Sequence, residues 1–541
     1  MRENSSTTIF EKNALSCFLL LVSVIASAVL GLAFHIPVGA HTFVTAVIVT
    51  GGVLFFCDRV LLRLFLLNVC VLALWCVVCN FIFDWSYDGM YYHKEAIIDL
   101  KEGWNPFYQS SLDATVFASY PDMDLWLDNY PKGLWLFSAV IYSLTNLLET
   151  AKAVNILFII PVFSVAVDVM KTVYQMNRQK SVIFGLLFTV NPVFICQLLT
   201  SYNDLAVGAI VIITMLLSMK IVSEKASNYT YLLLAAVIAV SCTVKFTAPV
   251  LAGIVLIIFG IWYAMKHRKE PKHLAKPVAV VLAAFIAGVC LLGFDPYIKH
   301  IMNHQNPVYP VLGEGAYDIM NTNPPKGFEN KNAVEKLLAS VFSKTNNLPE
   351  EAPELKIPFT IHSSEWIHLS NADIRVGGFG VLFSGIFLLS LVIFFVALCH
   401  NKKIRMETAA AFAAIFLLLL FIPESWWARY ASYAYYLPVF ILAEACNLRK
   451  TKVFSGVTIC LIALNSLFFA GCVLKTGVEV THQLKIKLKE IKSHQKTVIV
   501  RVNDFPTHRK LFEEFGIDYE VSHSSLDDPM IFYRNTKYKF R

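Results

Sequence analysis

The chain has 541 residues, of which 56% are hydrophobic and only 16% charged. Soluble domains carry about 25% charged residues, so this balance, kept along most of the length, excludes an ordinary soluble enzyme and places the protein in a bilayer. The net charge of +7 suits basic loops on a membrane protein and gives no reason to expect nucleic-acid binding.

The first apolar run, 14–34, is too long for the hydrophobic region of a signal peptide and lacks a small-x-small cleavage site. It reads as the first membrane helix, with residues 1–13 in the cytoplasm. Further spans are expected at about 42–57, 61–83, 153–171, 181–199, 205–222, 229–247, 249–265, 277–294, 376–399, 408–423, 430–447 and 453–474, giving thirteen in all. The run 133–148 is apolar but short. Basic clusters in short loops mark the cytoplasmic side: Arg59/Arg63, Lys171/Arg178/Lys180, Lys220/Lys225, the 266–276 run, Lys402/Lys403/Arg405 and Arg449/Lys450/Lys452. All of them share one side only if 133–148 does not cross, so that run is expected to be re-entrant or interfacial. The twelve cysteines lie in or beside apolar segments, and the Cys76/Cys79 pair sits inside an apolar helix, which reads as buried packing rather than a redox or zinc site.

Three hydrophilic regions are then expected outside. The first is 84–132, with nine Asp/Glu against three Lys/Arg. The second is 295–375. The third is the tail after residue 474. The tail opens with Lys485, Lys487, Lys489, Lys492 and Lys496, which favour the cytoplasm, but long segments follow the charge rule poorly and the tail is placed outside. Within it, 497–502, 517–521 and 530–533 read as strands, and 506–515 as a helix stopped by Gly516. The expected architecture is an all-α polytopic membrane domain over 1–474, with large loops at 84–132 and 295–375, and a small α/β appendage over 475–541.

Ionisable groups at membrane depth are costly and mark function. Here they collect at the outer ends of helices. After the third span comes Asp84-Trp-Ser-Tyr-Asp88-Gly-Met-Tyr-Tyr92-His93, followed by an amphipathic stretch closed by Gly103. On a helix Asp88 and Tyr92 share a face with His93 beside them. Asp88 either caps a short interfacial helix or accepts a proton from an incoming hydroxyl. Tyr202-Asn-Asp204 sits between two spans, where Asp204 either caps the next helix or joins Asp88. Tyr130-Pro-Lys132 opens the short apolar run. Lys245-Phe-Thr247 and Trp426-Trp427-Ala-Arg429-Tyr430 offer cations that could hold a phosphate. Trp426 and Trp427 read as interfacial anchors. In the second loop, Asn332-Ala-Val-Glu335 is a capping box before a surface helix. His362 and His368 lack metal-ligand spacing. No P-loop, dinucleotide fingerprint, nucleophile elbow or zinc-protease helix occurs.

Taken in order, these pieces resemble the GT-C superfamily of polyprenyl-phosphate-dependent glycosyltransferases, in the branch of protein O-mannosyltransferase-like, aminoarabinose-transferase-like and RgtA-like proteins. The likeness covers about residues 60–450. It rests on Asp88-xxx-Tyr92-His93, Gly103-Trp-Asn-Pro106, Tyr130-Pro-Lys132, Tyr202-x-Asp204, Lys245-Phe-Thr247, Asn306-Pro-Val-Tyr309-Pro310 and Trp426-Trp-Ala-Arg429-Tyr430. The resemblance implies a GT-C-like fold in a bacterial inner membrane. It implies transfer of a sugar from a polyprenyl-phosphate donor, with inversion, to a glycan, lipid or protein acceptor outside the cytoplasm. Asp88 would be the base or orient the acceptor, with Asp204 assisting it or binding a divalent cation. Lys245 and Arg429 would hold the donor phosphate, with Tyr92, His93, Lys132, Tyr202 and Tyr430 lining the substrate site. The tail is outside the likeness. Competing readings are a secondary transporter, an O-antigen polymerase or ligase, and a non-catalytic scaffold.

Overall fold

The computed structural model describes residues 8–114, 123–313, 316–317, 323–400 and 404–541. Lys402 and Lys403 of the basic clusters lie outside these residues. Among those described, nine helices are long and apolar enough to cross a membrane, with shorter apolar helices at Gly133–Thr145, Asn228–Val244 and Met406–Phe421. The protein is an integral, multi-pass, mostly helical membrane protein.

Burial ranks the helices from centre to rim. Asp204–Val222 is apolar on every face and buried throughout, so it is the central post. Its 19 residues span about 28 Å, close to the hydrocarbon thickness. Ala40–Cys57 and Lys272–Ala287 bury little, and side chains such as Ile48 and Phe56 point outward. In water that would be an aggregating surface; against lipid it is the solvated one.

Polar contacts form two layers at opposite ends of the same helices. In one, Lys220 at the end of the central helix pairs with Asp168 (2.6 Å) and with Glu11 at the start of Ile9–Ala33 (2.9 Å). Asp58 there accepts from Lys12 (2.6 Å) and Tyr229 (2.5 Å). The other layer holds the 84–132 loop, the start of the central helix and the end of Asn228–Val244. The 13-residue helix Gly133–Thr145 keeps both ends in this second layer. Lys132 before it pairs with Asp295, and Leu148 after it donates its N–H to Glu514.

Several expected spans are reshaped. The run 181–199 is two helices, Arg178–Thr189 and Pro192–Gln197. Pro192 has no N–H to continue the ladder, and Asn191 caps the second helix by accepting from Val193 N–H (3.1 Å). The run 430–447 begins as a 3-10 turn, Ser432–Tyr435, and its α-helix covers only Tyr436–Ala445. The expected boundary at 474/475 falls inside one continuous helix, Lys452–Ser493, of 42 residues or about 63 Å, roughly twice the bilayer core. Beyond the bilayer it stays amphipathic, burying Gly477, Thr481, Leu484, Leu488 and Ile491 on one stripe. Thr481 accepts from Phe83 N–H (2.8 Å), so this extension rises on the side of the 84–132 loop.

The appendage starts at β1 (Val498–Arg501) and continues through β2 (Tyr519–Val521), β3 (Met530–Tyr533) and β4 (Thr536–Phe540). Sheet order is β2-β1-β4-β3, with β1 parallel to β2 and the other pairs antiparallel. The helix His508–Glu514 links β1 to β2 and docks on the first loop. Arg509 forms a buried two-pronged pair with Glu95 (2.6 and 2.8 Å), and Thr507 donates to Met90 O (2.9 Å). Replacing Arg509 with Ala leaves Glu95 buried beside Asp99 without its cation and should destabilise tail docking by about 3–5 kcal/mol. Limited proteolysis will read this as rapid loss of the tail, and a Glu95→Leu, Arg509→Met double variant should recover most of the resistance.

Candidate active site

The site assembles on Arg429. Its guanidinium lies 3.0 Å from Asp88 Oδ2, 3.3 Å from Asp204 Oδ2 and 3.1 Å from Asp373 Oδ1. Lys245 Nζ closes the group at 2.8 Å from Asp204 Oδ1. Three carboxylates thus share these two cations, and Asp373 is also held by Arg375 (3.0 Å). Arg429 also donates to Tyr430 OH (2.7 Å) and lies against the rings of Tyr202 and Trp427.

Each member is set by its local chain. Asp84, buried, accepts from Ser86 N–H (2.8 Å) and from Ser201 N–H (2.8 Å), tying the first loop to the 200–204 turn. Gly89 permits this: a Cβ there would stand 2.6 Å from Asp84 Oδ2. Asp88 N–H then donates to Tyr202 OH (3.3 Å), which sets the Asp88 side chain toward Arg429. Neither Asp88 nor Asp204 is spent as a helix cap. Asp88 makes no capping bond. Asp204 is the first helical residue, after Asn203, and its oxygens face Lys245 and Arg429. Arg429 arrives on a turn whose backbone pairs with the end of the second loop: Arg429 N–H donates to Ile374 O and Ala428 N–H to Arg375 O, both at 3.2 Å.

Beside this group lies a cavity of about 470 Å³. Its polar head includes Asp204, Lys245, Arg429, Tyr430 and Tyr130. Its other end is apolar, lined by Val207, Gly208, Val211, Leu251, Phe421 and Tyr433. Val211 is seven residues past Asp204, so the cavity follows the central helix for about 10 Å into the membrane layer.

Tyr92 and His93 build an aromatic wall. Tyr92 stacks on Trp126 (5.2 Å between centroids) and meets Tyr130 edge-on (5.9 Å). His93 Nδ1 accepts from Trp135 Nε1–H (2.8 Å). Burial pulls His93 down to about 3, so the ring is neutral and shapes the wall rather than moving protons. Burial raises the Asp88 carboxyl above its ordinary range, Arg429 opposing this and Asp373 and Asp204 adding to it.

Two expectations are corrected here. Lys132 does not line the cavity, and neither do Asp88, Tyr92, His93 and Tyr202; the Lys132 ammonium is instead held away from the Arg429 group by Asp295 (2.5 Å), Asp128 O (2.9 Å) and Tyr130 O (3.1 Å). Trp426 and Trp427 are not interfacial anchors. Both are buried, stacked at 5.2 Å, and Trp427 packs under the Arg375 guanidinium (4.0 Å). Asp373 is the carboxylate that sequence reading missed. Its signal was Asn371-Ala-Asp373-Ile-Arg375 directly before an apolar run. Among the described residues, no three His, Cys, Asp or Glu side chains are grouped to hold a metal ion; the three carboxylates already face a guanidinium.

No protein-family model matches the chain, and no curated protein matches it.

Removing Arg429 takes away the only cation paired with Asp88 among the described residues and the one that joins it to Asp204 and Asp373, leaving Lys245 on Asp204 and Arg375 on Asp373. Arg429→Ala should lower stability by about 3–5 kcal/mol at neutral pH. Without the cation the Asp88 pKa climbs further, so protonation favours the folded state and part of the loss returns as pH falls. Melting curves at pH 5 and pH 8 check this; a variant whose deficit grew toward acid pH would contradict the assignment.

Proposed function

We propose that the protein is an inverting membrane glycosyltransferase of the GT-C type, with thirteen crossings, using a polyprenyl-phosphate sugar as donor. The observation that carries this reading is a carboxylate-cation centre at the mouth of a cavity that turns apolar as it descends between helices. A lipid phosphate needs this combination: cations for its head and a hydrocarbon-lined slot for its chain.

The donor phosphate sits at Lys245 and Arg429, and the first isoprene units follow Val207, Val211 and Leu251. The acceptor hydroxyl meets Asp88, which accepts its proton as the oxygen attacks the anomeric carbon. The bond from that carbon to the phosphate oxygen breaks on the opposite face, so configuration inverts. Polyprenyl phosphate leaves with the electron pair. The two cations are already in place where that charge develops, which lowers the barrier without reorganisation. Asp204 orients Lys245, and Asp373 steadies Arg429. With the acceptor site on the face of the 84–132 loop, opposite the basic short loops, the reaction takes place outside the cytoplasm.

Asp88→Asn keeps the shape and removes the base. It should reduce transfer by about 10²–10⁴-fold while leaving binding of polyprenyl phosphate nearly unchanged. In the wild type, kcat should fall on acidification through a midpoint above the ordinary carboxylate range, and this acid limb should vanish in the variant. Transfer assays with a panel of polyprenyl-phosphate sugars measure both; full activity of Asp88→Asn would end the proposal.

Thr247, exposed at the cavity rim, is a second test. Thr247→Trp should weaken a long-chain donor about tenfold yet spare a short-chain analogue, read as the ratio of their KM values.

A further inference from the structure

Asp88 stands between two environments. Its partner Arg429 lines the cavity, as does Asp204. Its own side chain keeps 24% of its surface exposed, against 8% for Arg429 and 6% for Asp204, and the neighbouring Tyr87 is 47% exposed. What faces Tyr87 on this outer side comes from the tail. Its ring meets Phe505 edge-on at 5.3 Å, and Tyr91 lies 5.9 Å away. The Arg534 guanidinium lies 5.5 Å from the rings of Phe505 and Tyr533 and donates to Trp85 O at 2.6 Å. Partial burial, then Asp504 and Asp88, hold the Tyr87 hydroxyl above its usual range, so both carboxylates are within electrostatic reach of it.

The tail loops that form this wall are fixed against each other. Asn503 Nδ2 donates to Asn535 O (2.7 Å), and Asn535 Nδ2 donates to Asp504 Oδ2 (2.8 Å). Arg534 occupies the tip of the β3–β4 hairpin with φ +49°. Glycine or asparagine adopts that left-handed conformation more cheaply. An arginine is strained there, and strain of this kind concentrates at functional sites. Its side chain reaches the backbone three residues before Asp88.

We propose that Tyr87, Tyr91, Asp504, Arg534 and Asn535 form the acceptor subsite, and that its occupant is a carbohydrate ring presenting one hydroxyl to Asp88. This rests on the transferase reading and names its acceptor class. A sugar ring has an apolar C–H face and a rim of hydroxyls that both donate and accept. Aromatic rings match the face. A carboxylate, an amide and a guanidinium set around those rings match the rim. Tyr87 adjoins Asp88 in the chain and Arg534 reaches Trp85 O, so this wall stands next to the carboxylate.

The test uses the full chain in nanodiscs and saturation-transfer difference NMR. The probes are methyl β-D-glucoside, methyl α-D-mannoside and methyl N-acetyl-β-D-glucosaminide, with a serine-containing hexapeptide as the competing class. At least one glycoside should receive saturation on its ring protons. Its apparent affinity should fall about tenfold in Tyr87→Ala and in Arg534→Gln, with melting temperature and undecaprenyl phosphate binding unchanged. Asp504→Asn provides the same comparison if either variant folds poorly. No glycoside signal, a glycoside signal equal in wild type and variants, or a signal from the peptide alone overturns the proposal. Glycoside binding lost in these variants, in a protein that fails to bind undecaprenyl phosphate, would support the saccharide face and defeat the donor reading instead.

Discussion

The structure is organised around one guanidinium. Arg429 gathers Asp88, Asp204 and Asp373 from three distant stretches of chain, and Lys245 completes the set. Ions brought out of water must find one another, because an unpaired charge in that setting costs several kcal/mol. This demand fixes where the first loop, the central helix and the end of the second loop meet. In the proposed reaction the same ions that pin the fold serve as base and phosphate clamp, so one arrangement would meet both the structural and the chemical need.

The cavity adds the second constraint. Its polar head and apolar extension share a single helix face, with Asp204 at the top and Val211 two turns below. A ligand that fills it must therefore be amphiphilic along its length. This shape is why the proposed donor is a charged head on a hydrocarbon chain rather than a water-soluble sugar nucleotide.

Much of this was legible because the chain avoids charge. In a sequence with so few ionisable residues, Asp88, Asp204, Lys245 and Arg429 stand out at the ends of apolar runs. Asp373 did not, because it lies in a long polar loop where a carboxylate is unremarked. Lys132 carried the same signal as Lys245, but its partner Asp295 is 163 residues away in sequence and outbids the site. The break at Asn191-Pro192 was written in local chemistry, whereas the shortening of the 430–447 run was not. That segment begins with the turn that delivers Arg429, and tertiary demand overrides its apolar propensity. In the tail, Thr-Lys-Tyr-Lys-Phe alternates as a strand should, so β4 was present in the pattern though not read from it. The helix through 474/475 was hidden because its outer half swaps an apolar surround for a single apolar stripe.

The 42-residue helix Lys452–Ser493 has a consequence for biogenesis. The loop near residue 88 emerges early in synthesis, yet the side chains that reach it, Arg509 and Arg534, follow more than 400 residues later. With the proposed orientation, the tail after Ser493 crosses behind the last hydrophobic segment before the loop around Asp88 acquires its outer wall. A nascent chain still engaged with the ribosome would hold donor-side groups without the surface facing the acceptor. In the proposed reaction, catalytic competence then waits until translocation is complete.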